Sequence, residues 1–146
     1  MNAGANEVVS VLAVLPSRED RASLNKIFQL SQWQLHYVDG LGLARPLLDT
    51  LTAGVVISDS HFSDGSWQDL LCDLQRRKIE PLLIVASRLA DEGLWAEVLH
   101  RGGYDVLATP FQAQEVTHAV GMAWRHWRDK LELTGHPAPR VLTAGF

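Results

Sequence analysis

Five short apolar runs, each followed by a stretch with helical spacing, constrain this 146-residue chain more than any other feature. Residues 8–15 (VVSVLAVL) form an almost continuous aliphatic run, which is typical of a strand buried on both faces. Similar runs occupy residues 54–59 and 81–86, and weaker ones occupy residues 33–38 and 104–108. The regular alternation of strand and helix predicts a parallel sheet with helices on both of its faces.

The connections between the strands restrict the topology further. Right-handed crossovers predict a flavodoxin-like (βα)5 α/β fold, doubly wound, with a five-stranded parallel sheet in the order 2-1-3-4-5. In sheets of this kind the functional crevice lies beyond the carboxyl ends of the strands. This placement predicts one pocket lined by Leu15, Asp59, Ala86 and Thr109.

Composition excludes several classes of function. The net charge is −4 with both signs interspersed, so the chain has no basic surface that would predict direct binding of nucleic acid. No apolar run approaches 18 residues, so no membrane span is predicted. Cys72 is the single cysteine, which excludes an internal disulfide and predicts a cytoplasmic protein. Without a Gly-rich phosphate loop after the first strand, and without a nucleophile motif, we expect no enzyme.

Four segments carry a resemblance to a known family, and their order and spacing matter more than any one of them: VVISD, SDG, PLLIVAS and RGGYDVLATPF. In this order they resemble the receiver domains of response regulators in two-component (phosphorelay) signalling, which are similar to CheY. The resemblance covers residues 7–130. We expect residues 131–146 to be a linker or tail.

The resemblance implies a phospho-accepting aspartate at the end of the third strand, and Asp59 occupies that position. The acidic pair that holds Mg²⁺ beside this aspartate in the family falls on Leu15 and Pro16. Mg²⁺ is a hard cation that binds several oxygen ligands, usually including carboxylates. Neither Leu15 nor Pro16 has a side-chain oxygen, so we expect weak or absent Mg²⁺ binding, no other metal site and no cofactor.

Three further positions implied by the resemblance are also altered. The switch Thr or Ser falls on Ala86, the lysine on Thr109 and the aromatic switch residue on Val106. A missing lysine removes a counter-charge worth on the order of 4 kcal/mol at contact in a partly screened site, whereas a threonine hydrogen bond is worth about 1 kcal/mol. We therefore expect that Asp59 is not efficiently phosphorylated. The resemblance also implies a cis peptide bond before Pro110.

Aromatic and basic residues in the last two helices predict an interaction surface. Trp95 lies in the fourth helix, and Trp124 lies off the main apolar stripe of the fifth, where we expect it to be exposed beside Arg125 and Arg128. Exposed tryptophan with arginine is typical of interface anchors; packing of Trp124 against the chain's own tail is the alternative. The resemblance implies that the fourth helix, fifth strand and fifth helix form the face for a protein partner, which would be a histidine kinase, an output domain, another regulator or a second copy in a homodimer.

These observations favour a pseudo-receiver that works by protein–protein interaction. One alternative is a working phosphoacceptor that uses Asp59. A further alternative is a small-ligand sensor that uses the vacated, more apolar pocket near Leu15, Ala86 and Thr109. For Asp59 itself, a structural role at the start of the loop after the strand is the competing interpretation.

Overall fold

The computed structural model describes residues 9–133, which form a five-stranded parallel sheet covered by helices on both faces. The strands are β1 (Ser10–Val14), β2 (Gln34–Val38), β3 (Val55–Asp59), β4 (Leu82–Ser87) and β5 (Asp105–Ala108). The helices are α1 (Arg18–Ser31), α2 (Leu41–Thr50), α3 (Trp67–Gln75), α4 (Glu92–Arg101) and α5 (Ala113–Leu133). The sheet order is β2-β1-β3-β4-β5 with parallel neighbours, which confirms the predicted flavodoxin-like topology.

Two apolar layers lie on opposite faces of the sheet, because successive side chains of a strand point to opposite sides. Val11, Ala13 and Leu15 belong to the layer under α1 and α5. Leu12 and Val14 belong to the layer under α2, α3 and α4. Since β1 is buried on both faces, its sequence is a continuous aliphatic run without polar alternation.

Local signals determine where helices begin and end. Ser17 and Asp91 cap α1 and α4, because their side chains accept hydrogen bonds from the backbone N–H groups of Asp20 and Leu94. Gly102 ends α4 with φ at +104°, a left-handed conformation that favours glycine. These caps place the first turns of α1 and α4 at the carboxyl edge of the sheet.

A short hairpin, His61–Phe62 paired with Gly65–Ser66, follows β3 directly. Within it, Asp64 accepts the backbone N–H groups of Leu41 and Gly42 at 2.8 and 2.9 Å. These two groups open α2, whose N-cap is a glycine without a side-chain cap. The bonds from Gly42 and then Leu41 lower the pKa of Asp64. The loop after β3 is therefore held against the start of α2.

Helix α5 extends to Leu133, three residues past the boundary that we placed at residue 130. Residues 131–133, assigned to the tail by that boundary, are part of the helix. The reason is that Leu131 is still on the buried apolar stripe of α5. The remainder of the expected tail, like residues 1–8, lies outside the described residues. Within residues 9–133, no helix is both long and apolar enough to cross a membrane.

Candidate functional site

The carboxyl ends of the central strands bring the predicted pocket positions to one edge of the sheet. Strand register pairs Asp59 at the end of β3 with Ala86 of β4, and Leu15 directly follows β1, the other neighbour of β3. The backbone N–H of Thr109 donates to the carbonyl oxygen of Ser87 at 3.1 Å, which joins the end of β5 to the same edge. We call this region the Asp59 edge.

The carboxylate of Asp59 is partly buried and has local hydrogen-bond donors. Its Oδ1 accepts the backbone N–H of Ser60 at 2.6 Å, and the Ser60 hydroxyl lies 3.5 Å from the same oxygen. The hydroxyl of Ser58, which is fully buried, donates to the Asp59 carbonyl oxygen at 2.8 Å. These contacts come from the residues on either side of Asp59 in the chain, as in an aspartate that begins a loop.

Leu15 and Pro16, at the positions of the family's acidic pair, bring no side-chain oxygen to this edge. Leu15 is 0% exposed within the layer under α1 and α5, and its backbone N–H donates to Val38. Pro16 offers only its carbonyl oxygen, which accepts a hydrogen bond from the Arg21 guanidinium at 3.2 Å. Position 15 is therefore part of the core, and position 16 has no side-chain oxygen that could bind a cation.

A second carboxylate, which the sequence analysis did not identify, lies close to Asp59. Asp20 stands in the first turn of α1, where its backbone N–H donates to Ser17. Burial raises the pKa of Asp20, and the negative charge of Asp59 raises it further. From the sequence, Asp20 is only an acidic residue in the first turn of a helix. The one feature that could have predicted its position near Asp59 is that this helix follows β1, the strand next to β3.

A cation, Arg88, follows β4 and interacts with Asp20. Its guanidinium lies 3.9 Å from the carboxylate of Glu19 and lowers the pKa of Asp20, against the effects of burial and of Asp59. Arg88 is 67% exposed at its side chain, so water and salt screen its interactions. A positive charge is thus present at the Asp59 edge, but on an exposed side chain and at a different position from the one that the resemblance implies for the lysine.

The divalent cation implied by the resemblance does not fit these residues. Mg²⁺ retains several waters but is usually held by more than one carboxylate at short range. Asp20 is the carboxylate that interacts with Asp59 at this edge, and residues 9–133 contain no cluster of three or more potential metal ligands.

Thr109 and Ala86 complete the edge. Ala86 is 1% exposed and Thr109 is buried, so neither presents a reactive group to solvent. The hydroxyl of Ser87, next to Ala86, accepts the backbone N–H of Leu89 at 3.0 Å and serves the turn after β4. The peptide bond between Thr109 and Pro110 is cis, which confirms that prediction.

The aromatic residue of β5 does not stand at the switch position. Val106 is partly buried and pairs with Val85 of β4. Tyr104, two residues earlier, places its hydroxyl 2.7 Å from Nδ1 of His126 on α5. Burial, and then the charge of Asp105, raise the pKa of Tyr104. Tyr104 is therefore held at the opposite end of β5 from the Asp59 edge.

One predicted interface anchor is wrong. Trp124 is 5% exposed and packs against Trp127 with ring centroids 5.0 Å apart, whereas we expected it to be exposed. The buried stripe of α5 is wide enough to include it, because Trp124 lies four residues after Val120 and three before Trp127. Arg125 is exposed and Arg128 is half-buried.

Trp95 does lie on an open surface. It is 50% exposed and lines a groove of about 430 Å³ between α4, β5 and α5. We call this the α4–β5–α5 groove. Its lining residues are Ala90, Asp91, Glu92, Trp95, Asp105, Val106, Leu107, Ala108, Glu115, His118 and Ala119. The groove coincides with the face that the resemblance implied for partners.

Comparison with known proteins identifies the fold. No family model matches the sequence, and no curated protein matches it. Solved structures do match: the signal receiver domain of a Luxo repressor protein from Vibrio parahaemolyticus has a TM-score of 0.80 at 18% identity, covering 89% of this chain and 100% of that one. The signal receiver domain of an HD domain-containing protein from Pseudomonas fluorescens Pf-5 has a TM-score of 0.75 at 22% identity, covering 84% and 99%.

A third match is the beryllofluoride-activated NtrC4 receiver domain dimer, with a TM-score of 0.75 at 18% identity, covering 82% of this chain and 99% of that one. All three are receiver domains, and the match extends over almost the whole of each. The chain therefore has the receiver fold, CheY-like and flavodoxin-like, as the resemblance implied.

Proposed function

We propose that this chain is an atypical receiver of two-component signalling, a pseudo-receiver, that acts by binding protein partners without efficient Mg²⁺-dependent phosphorylation of Asp59. One observation carries the proposal: the positions of the family's acidic pair hold Leu15, which is fully buried, and Pro16, which has no side-chain oxygen. We expect the domain not to be an enzyme and, with its single cysteine, to act in the cytoplasm.

Charge supports this proposal. Phosphoryl transfer to a carboxylate creates a dianionic product through a highly charged transition state, which receivers stabilise with a metal ion and a cation. Here Asp20 interacts with Asp59, and its repulsion opposes further negative charge. Thr109 contributes no charge at the position of the lysine.

Signal transmission also points away from a phosphorylation switch. Ala86 has no hydroxyl to bind a phosphoryl oxygen, and Val106 has no ring to change orientation in response. A signal would therefore arrive through partner binding or constitutive assembly. The α4–β5–α5 groove, with its half-exposed Trp95, is the surface that we assign to a kinase, an output domain or another regulator.

A working phosphoacceptor is the second candidate, and one observation favours it. Asp20 lies close enough to Asp59 for the charge of Asp59 to raise the pKa of Asp20, and Arg88 adds a positive charge near Asp20. A carboxylate from α1 and a guanidinium after β4 would then replace groups that the family takes from β1 and β5. The ligand-sensor hypothesis has less support, because Leu15, Ala86 and Thr109 are all buried.

Intact-mass spectrometry tests the proposal. The whole chain is incubated with acetyl phosphate with and without Mg²⁺, in parallel with Asp59→Asn and Asp20→Asn, and a receiver with a complete acidic pair serves as positive control. We expect no added phosphoryl mass in this chain under any condition.

A Mg²⁺-dependent gain that disappears in Asp59→Asn would contradict the proposal. If the gain also disappeared in Asp20→Asn, the second candidate would be correct in detail, with α1 supplying the second carboxylate. If it persisted in Asp20→Asn, Asp59 would be a phosphoacceptor that needs no carboxylate partner, and the proposal would fail equally.

A further inference from the structure

The α4–β5–α5 groove is lined by acidic side chains, and none of its described lining residues is lysine or arginine. Four of its lining residues carry carboxylates: Asp91, Glu92, Asp105 and Glu115. Among the described residues that line it, none is lysine or arginine, and His118 is the only other titratable group. A chain with a net charge of only −4 thus concentrates four negative charges around one groove.

The backbone holds these carboxylates in place. Asp91 accepts the N–H of Leu94 as the cap of α4, and Asp105 accepts the N–H of Val106, both at 2.8 Å. Glu92 and Glu115 stand in the first turns of α4 and α5, where the helix dipole stabilises negative charge. Two of the four carboxylates are therefore held by backbone hydrogen bonds, and the other two lie where the helix dipole favours their ionised form.

An apolar surface accompanies the charge. Half of Trp95 is exposed at the side of the groove, and Leu99, one turn further along α4, is 37% exposed. The floor is β5, which lies at the end of the sheet order and pairs only with β4 among the described strands. The groove can thus contact both an apolar side chain and an extended or helical backbone.

We propose that the α4–β5–α5 groove binds a basic segment of a partner protein, in which arginine or lysine side chains meet the four carboxylates and an apolar or arginine side chain packs on Trp95. This inference rests on the proposed function, because it names the chemistry of the partner at the same surface. A second copy of the chain is a less favourable occupant, since a two-fold pairing of groove on groove would bring like charges together.

Fluorescence anisotropy of a labelled 12-residue peptide with five arginines and a central pair of leucines tests the inference on the whole chain. Matched peptides replace the arginines by glutamate or the leucines by serine. We expect saturable binding of the first peptide only, and this binding should weaken as the salt concentration is raised.

Reversal of two groove charges, Glu92→Lys with Glu115→Lys, should weaken binding of the arginine peptide about tenfold. Asp129→Lys with Glu132→Lys, which changes the net charge equally at the far end of α5, should weaken it far less.

Trp95→Ala should weaken binding of the leucine peptide but not that of the serine peptide. Equal binding of the glutamate peptide, or equal effects of the two charge reversals, would overturn the inference. So would sedimentation showing a dimer that the groove reversal dissociates, because the occupant would then be a second copy. The intact mass of the chain is recorded in the same samples after incubation with acetyl phosphate and Mg²⁺. Phosphorylation of Asp59 with peptide binding intact would refute the proposed function alone. Absence of peptide binding in an unphosphorylated chain would refute only the inference.

Discussion

The Asp59 edge and the α4–β5–α5 groove belong to the same receiver fold and differ in what their side chains offer. At the Asp59 edge, positions that carry polar groups in receivers hold Leu15 and Ala86, which are part of the core. At the groove, carboxylates and Trp95 remain open to solvent. Two regions of one fold can thus offer different chemistry, because function depends on individual side chains and not on topology.

The two regions also differ in how much a change of residue should cost. A buried apolar position such as Leu15 contributes to stability through packing, so a charge there is expensive. The rim of the groove contributes little to stability and is free to vary with its partner. Three further experiments test this contrast, in addition to the phosphorylation and peptide experiments.

Restoring one member of the acidic pair should have the largest effect. Leu15→Asp places a carboxylate at a fully buried position, and we expect the free energy of unfolding at pH 8 to fall by roughly 3–5 kcal/mol. Burial raises the pKa of this new carboxyl group above its unfolded value. The loss should therefore be largest above the folded pKa and should shrink as the pH falls through it. Urea denaturation at several pH values measures this.

Leu15→Ala is the control for that experiment. It removes packing without adding charge, so we expect a loss of about 2–5 kcal/mol that does not depend on pH in the same window. If Leu15→Asp showed no more pH dependence than Leu15→Ala, the carboxylate would be hydrated, and position 15 would not be the buried core position that we describe.

Within α4, the face buried on the sheet and the face at the groove should respond differently. Val98 is fully buried, and Val98→Ala should cost about 2 kcal/mol of unfolding free energy. Trp95→Ala removes a larger side chain that is half exposed, and should change stability by no more than about 0.5 kcal/mol. Thermal or urea unfolding of the two variants compares them directly. A larger loss in Trp95→Ala would mean that Trp95 supports the fold and is not an open anchor.

The smallest effect concerns the two carboxylates at the Asp59 edge. Asp59→Asn removes a negative charge and should lower the pKa of Asp20, while Arg88→Ala removes a positive charge and should raise it. Because the pKa of Asp20 is raised in the folded state, its contribution makes the protein less stable as pH rises from the unfolded pKa through the folded one. Asp59→Asn should reduce this pH dependence. NMR titration of the Asp20 carboxyl carbon measures the shift, and an unchanged value would show that the two groups do not interact.

Much of the fold could be predicted because its signals are local. The aliphatic run of β1, the cap of α4 at Gly102 and the order of the strands follow from apolar periodicity, glycine and the handedness of crossovers. Helical spacing, however, does not show how much of a wide apolar stripe is buried against the sheet. Trp124 was assigned to the surface for this reason, although α5 packs it in the core.

The strand order, the position of Asp59 at the end of β3 and the absence of side-chain oxygens at positions 15 and 16 could be predicted from the sequence, since each depends on residue type and on neighbours close in the chain. Contacts between side chains that are distant in the chain could be found only in the tertiary structure. It brought Asp20 of α1 close to Asp59 and gathered Asp91, Glu92, Asp105 and Glu115 around one groove. Such encounters depend on how helices pack across the sheet, and the electrostatic interaction between two charges depends on their separation in space and not along the chain.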